Sequence, residues 1–172
     1  MSALNTIAEV IDSINEWVGR IAAWAVLAAV LITFIVVIFR YGFEQFYSIA
    51  LQESAMYFHA LIFMLGAAYT LKHDGHVRVD IFYQNFSVRG KALLNLLGTV
   101  LLLIPVCSFI LWISADYVLA SWQSFEGSRE AGGLPLVFLL KSFIPLLAVL
   151  LLLQGVAEMV RSIVVLTHQE TS

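Results

Sequence analysis

Four stretches of this 172-residue chain are so long and so apolar that water cannot be their solvent. The first is IAAWAVLAAVLITFIVVIF, Ile21 to Phe39, without a charge and bracketed by Arg20 and Arg40. At ~1.5 Å per residue a helix of that length covers the ~30 Å of bilayer hydrocarbon. Three more follow, giving spans at about 21–39, 52–71, 92–115 and 134–160, with His59 the titratable group deepest in the second and Lys141 near the start of the fourth. Charged residues make up 12% of the chain and hydrophobic ones 61%; soluble domains carry about 25% charge. No strand-like alternation or internal repeat competes. The expected fold is all-α: one membrane domain, residues 1–172, built as a bundle of four transmembrane helices.

The flanking segments add detail. The leader, MSALNTIAEVIDSINEWVGR, is acidic, and no small-residue cleavage site follows the apolar run, so the first run reads as a retained helix rather than a signal peptide. Leu4, Ile7, Ile11, Ile14 and Val18 form one helical stripe, with Glu9, Asp12 and Glu16 on another face. Residues 1–20 are therefore expected to be an amphipathic helix, lying at the interface or extending the first span. Residues 161–172 form a tail. The net charge of −3 offers no basic patch for nucleic acid. A lone cysteine, Cys107, rules out an intrachain disulfide and sits in an apolar run as a small core residue.

Charge between the spans predicts orientation. Lys72, Arg78, Arg89 and Lys91 lie between spans two and three; Arg40, Arg129 and Lys141 mark the other side. Lys and Arg accumulate in the cytoplasm, which puts both termini there. The second loop opens with KHDGHVRVD, residues 72–80. A zinc site needs three or four convergent ligands, and Gly75 between His73 and His76 argues against a helix presenting both from one face; no metal is expected. The stretch reads instead as a cytoplasmic turn at Asp74-Gly75. Asp80 is expected to cap a short interfacial helix from Ile81, and Ser87 to cap the third span.

GHVRVD after a span ending LGAAYTL resembles the small membrane subunit, the DctQ-like Q subunit, of tripartite ATP-independent periplasmic (TRAP) transporters. Arg40 closing the first span, Gln52-Glu53 opening the second, GGLPLVFLLKSFIPL opening the fourth and LLLLQGVAEMVRSI closing it match in order, from about Arg20 to Ile163. The resemblance implies a non-enzymatic, cofactor-free scaffold of a sodium-coupled secondary transporter for acidic organic solutes, in a bacterial inner membrane. It implies as partners a large membrane subunit, which it braces, and a periplasmic solute-binding protein.

Polar residues at membrane depth are functional candidates. Arg40, Gln52, Glu53, His76, Arg78, Asp80, Lys141, Gln154 and Glu158 are singled out as structural ties or contacts to the large subunit. Arg40 and Glu53 end and begin adjacent helices and are expected to neutralise each other, as are Asp116 and Lys141. Gln154 and Glu158, one turn apart, are expected to face Asn95 and Thr99 across spans three and four. His59 reads as an interfacial histidine, and Pro105 and Pro145 as kinks. Small residues for close packing are Ala22, Ala25 and Ala29, Gly66 to Ala68, and Gly98. A self-sufficient four-span transporter would want a midplane carboxylate, but Glu53 and Glu158 lie near span ends. A haem bundle would want paired axial ligands. An accessory subunit of another membrane complex stays open as an alternative.

Overall fold

A computed structural model describes residues 2–42, 47–75, 83 and 86–168. Among these the chain is helical, without a strand. It forms α1 (Ser2–Gly42), α2 (Ile49–Lys72), α3 (Val88–Gly98), a π-helical turn (Thr99–Leu103) leading into α4 (Ile104–Gln123), and α5 (Val137–His168). Taking α3, the π turn and α4 as one rod, four helices are long and apolar enough to cross a membrane. The all-α, four-span expectation holds. The interfacial helix expected from Ile81, with its Asp80 cap, falls mainly outside the described residues.

The leader is not a separate element. It forms the first turns of α1, a helix of 41 residues, about 62 Å long at 1.5 Å per residue and twice the hydrocarbon thickness. Nor is its apolar stripe the face that packs as a whole. Leu4, Ile7 and Ile14 stand close to half exposed, while Ala8, Ile11 and Asn15 are buried. The packing face continues upward through Gly19, Ala22 and Ala25, all buried.

Helix α5 touches every other helix. On one side it packs against α1 and α2, which also pack on each other; on the other it packs against α3, the π turn and α4. Small residues make these approaches. Ala22, Leu65, Ala68 and Leu150 form one buried cluster, and Ala8, Ile11 and Ala157 another. At Gly19 an added Cβ would lie 2.2 Å from Tyr69 Cδ2, and at Gly155 it would lie 2.8 Å from Leu103 Cδ2. Gly66 and Gly98, expected to serve the same purpose, open on free space instead. Three of the four tryptophans point away from the bundle: Trp17 is 69% exposed, Trp24 74% and Trp112 78%. Lipid tails are as apolar as leucine, so large residues face lipid and small ones allow backbones to approach.

Local signals set the helix ends. Ser87 caps α3 by accepting from the Gly90 N–H at 3.2 Å. Helix α2 ends with Gly75 N–H on Thr70 O at 2.9 Å and Asp74 N–H on Leu71 O at 3.2 Å, the paired bonds of a Schellman stop. The left-handed residue there is Asp74, with φ 53°, not the glycine beside it. Aspartate tolerates that region better than most side chains. Pro105 lacks an N–H and sits at the start of α4. The helix meets it with the π turn, in which Ile104 N–H reaches back five residues to Thr99 O, a recognised way to absorb such a break. Pro145 lies inside α5, which continues past it.

Gly19→Val should overpack the α1–α2 crossing and cost about 1–3 kcal/mol, read as a lower melting temperature of the purified chain in detergent. Adding Tyr69→Ala should recover part of that loss.

Candidate functional site: polar ties at the two ends of the bundle

Two polar groupings close the bundle, one at each end. At the end away from the termini, the α4–α5 connection folds back onto α2. Glu53, in the first turns of α2, accepts from the Leu134 N–H at 2.6 Å and from the Ser128 hydroxyl. The glycine pair before Leu134 makes this possible. Gly132 has φ 81°, and a Cβ on Gly133 would lie 2.8 Å from Glu53 Oε1 and 2.5 Å from Ser128 Cβ. The GGLP segment is thus shaped to bring a loop N–H to a helix carboxylate.

Beside it, Glu126 accepts from the Lys141 ammonium and, at 2.7 Å, from the Ser121 hydroxyl. These donors hold its carboxyl below its ordinary value of 4.5. The Lys141 ammonium also lies over the Tyr117 ring, 3.9 Å from its centroid, a cation–π arrangement. Trp122 donates to Ser142 Oγ at 2.8 Å and packs edge-on against Phe138. A cavity of about 330 Å³ lies between these groups, lined by Glu53, Tyr57, Tyr117, Glu126, Arg129 and Lys141.

Two expected pairs are therefore different. Glu53 is held by the loop, and Arg40 instead lies over the Tyr47 ring, 5.9 Å from its centroid. Tyr47 also donates its hydroxyl to Gln52 Oε1, so one aromatic links Arg40 and Gln52. Lys141 pairs with Glu126 rather than with Asp116. A loop residue satisfied each partner because it approaches closer than the end of the neighbouring helix. Spacing along the spans contains no sign of that approach.

At the end that carries both termini, α1 supplies the ties. Asn15 is fully buried and donates to Gln154 Oε1 at 2.7 Å; Gln154 is also fully buried and donates to Asp12 Oδ1 at 3.2 Å. Arg161 bridges Asp12 and Glu158, the latter at 2.5 Å. Glu16 accepts from Lys72 at 2.7 Å and contacts His73 at 3.1 Å and Arg20 at 3.4 Å. Gln154 thus bonds to α1, not to α3. Glu158 does share a cleft of about 180 Å³ with Asn95 and Thr99, but Asn95 accepts from the Tyr83 hydroxyl at 3.3 Å. Asp12, Asn15 and Glu16 form a helical i, i+3, i+4 set in the sequence; Asp12 and Glu16 mark this polar face by charge, whereas the uncharged Asn15, its buried member, carries no such mark. His76, Arg78 and Asp80 lie outside the described residues.

Comparison with known proteins adds one match. A family model described as Tripartite ATP-independent periplasmic transporters, DctQ component, matches residues 29–165. No curated protein and no solved structure matches the chain.

Two outcomes test the ties. Leaving one buried amide without its partner costs about 1–3 kcal/mol. Asn15→Leu and Gln154→Leu should each lower thermal stability by that order, and the double variant should lose less than the sum; additive losses would mean that the two amides act independently. Glu126 has a depressed folded pKa, so its contribution is present above the unfolded carboxyl value and fades as pH falls through the folded one. The melting-temperature gap between the unaltered chain and Glu126→Gln should therefore shrink on acidification below 4.5. A gap independent of pH would show that the ion pair does not operate.

Proposed function

The chain belongs to the DctQ component family of tripartite ATP-independent periplasmic transporters, and from that premise we propose that it is the scaffold subunit of a sodium-driven importer of acidic organic solutes. In this reading it carries no solute itself. It braces a large membrane subunit that does, and a periplasmic solute-binding protein completes the assembly.

The observation that supports a bracing role is where the polar side chains go. Glu53, Glu126 and Lys141 bind a loop to α2 and α5, and Asp12, Asn15, Glu16, Lys72, Gln154, Glu158 and Arg161 bind α1 to α2 and α5. Hydrogen bonds between membrane helices are worth about 0.6–2 kcal/mol each. A set at each end stiffens the bundle without lining a path through it. Arg40, Gln52 and the loop residues His76, Arg78 and Asp80 are assigned to contacts with the large subunit or the membrane edge.

The orientation belongs to the same reading. Arg20, Lys72, Arg89, Lys91 and Arg161 gather at the end with the termini, and Arg78 belongs by sequence to the same connection; Arg40, Arg129 and Lys141 mark the other end. That bias favours cytoplasmic termini in the bacterial inner membrane. The Glu53–GGLP clasp then faces the periplasm.

Liposomes holding this chain with its large subunit, supplied with the binding protein and an inward sodium gradient, should accumulate solute. Liposomes holding this chain alone should not, and sodium-driven uptake by them would make it a self-sufficient transporter. With Cys107→Ser as background, Asp74→Cys should react with a membrane-impermeant thiol reagent only after the cytoplasmic face is opened. Reaction in intact spheroplasts would invert the topology.

A further inference from the structure

One polar side chain midway along a membrane-spanning helix has no hydrogen-bond partner among the described residues. His59 lies about 15 Å along α2 from its start at 1.5 Å per residue, near the centre of Ile49–Lys72. Its side chain is exposed, and it makes no hydrogen bond to any described residue. It borders a cleft of about 680 Å³ between α1 and α2, whose α1 wall includes Val26, Val30, Thr33 and Val37. The Thr33 hydroxyl on that wall donates to Ala29 O at 2.7 Å.

The nature of the occupant follows from polarity and spacing. Ionisable side chains at membrane depth face protein or water-filled cavities rather than lipid tails, because hydrocarbon offers no hydrogen-bonding partner. An acyl chain would fill the cleft and leave the imidazole unsatisfied; a helix bearing a polar side chain would satisfy it. The α1 wall repeats at 26, 30, 33 and 37, the 4-3-4 spacing of a helix-packing seam. The seam runs about 16 Å, three helical turns. Val26, Val30 and Val37 are each more than two-fifths exposed along it, so the seam is open.

We propose that this cleft receives a transmembrane helix of the large subunit, and that a polar side chain on that helix hydrogen-bonds His59. The inference rests on the scaffold reading above and specifies where the brace grips.

The test co-expresses this chain with the affinity-tagged large subunit of its own transporter and recovers the pair in mild detergent. Ala29→Trp fills the cleft and should lower recovery of this chain about tenfold. His59→Leu should also weaken recovery, while His59→Gln, which still donates and accepts, should retain most of it. Because a tryptophan variant can misfold, a photoreactive benzoylphenylalanine in place of Phe34, an exposed aromatic on the same wall, decides the matter. On illumination it should give an adduct with the large subunit. No adduct, or an adduct only with a second copy of this chain, while the unaltered pair still forms, overturns the cleft assignment alone. Failure of the unaltered pair to form overturns the scaffold reading itself.

Discussion

A leucine that leaves lipid for another leucine gains almost nothing, and that constraint governs this bundle. Burial of apolar area, which drives soluble folds, is nearly neutral between membrane helices. What remains is close backbone approach and hydrogen bonding. The chain uses both in alternation along α1: small or notched positions at Ala8, Gly19, Ala22 and Ala25, and a buried amide at Asn15. Large aromatics are left to the lipid, as with Trp24 and Trp112. The result resembles a soluble protein with its size order inverted, small residues inside and large ones outside.

The central position of α5 follows from the same economy of contacts. It meets α1 and α2 through Leu150, Gln154 and Ala157, and the α3–α4 rod through Gly155. Successive residues of one helix thus serve opposite neighbours. Both polar groupings also end on it or just before it, Glu53 through Leu134 at one end and Asp12 through Arg161 at the other. The two ends are independent networks connected by one rod.

Much of this was legible in the sequence. The spans announce themselves through length and hydropathy, which depend on the solvent and not on tertiary contacts. Ser87 as a cap was readable for the same reason, because capping is local. The ties were not. Glu53 was visible as a polar residue at a helix start, but its partners come from 75 and 81 residues further along the chain, and only the glycine pair at 132–133 hinted at a close approach. Arg40 was paired with the wrong group because Tyr47, which takes it, looks like any interfacial aromatic. The leader misled in the opposite way. Its apolar stripe suggested an interface, yet in a helix bound for lipid the face with Asp12, Asn15 and Glu16 is the one that seeks protein.

The π turn carries a consequence for register. One row of buried positions along the α3–α4 rod runs Ala92, Thr99, Cys107, Ser114 and Ser121, with Val118 buried beside it between the last two. The steps are seven residues, except for one of eight between Thr99 and Cys107, the interval that contains the turn. A widened turn accommodates one surplus residue without rotating the helix beyond it. The rod is therefore a heptad seam with a single insertion, stored where Pro105 had already removed a hydrogen bond. A chain one residue shorter within 99–103 would wind as plain α-helix and still present Cys107, Ser114 and Ser121 to α5. Length variation in this segment would thus leave the packed face unchanged.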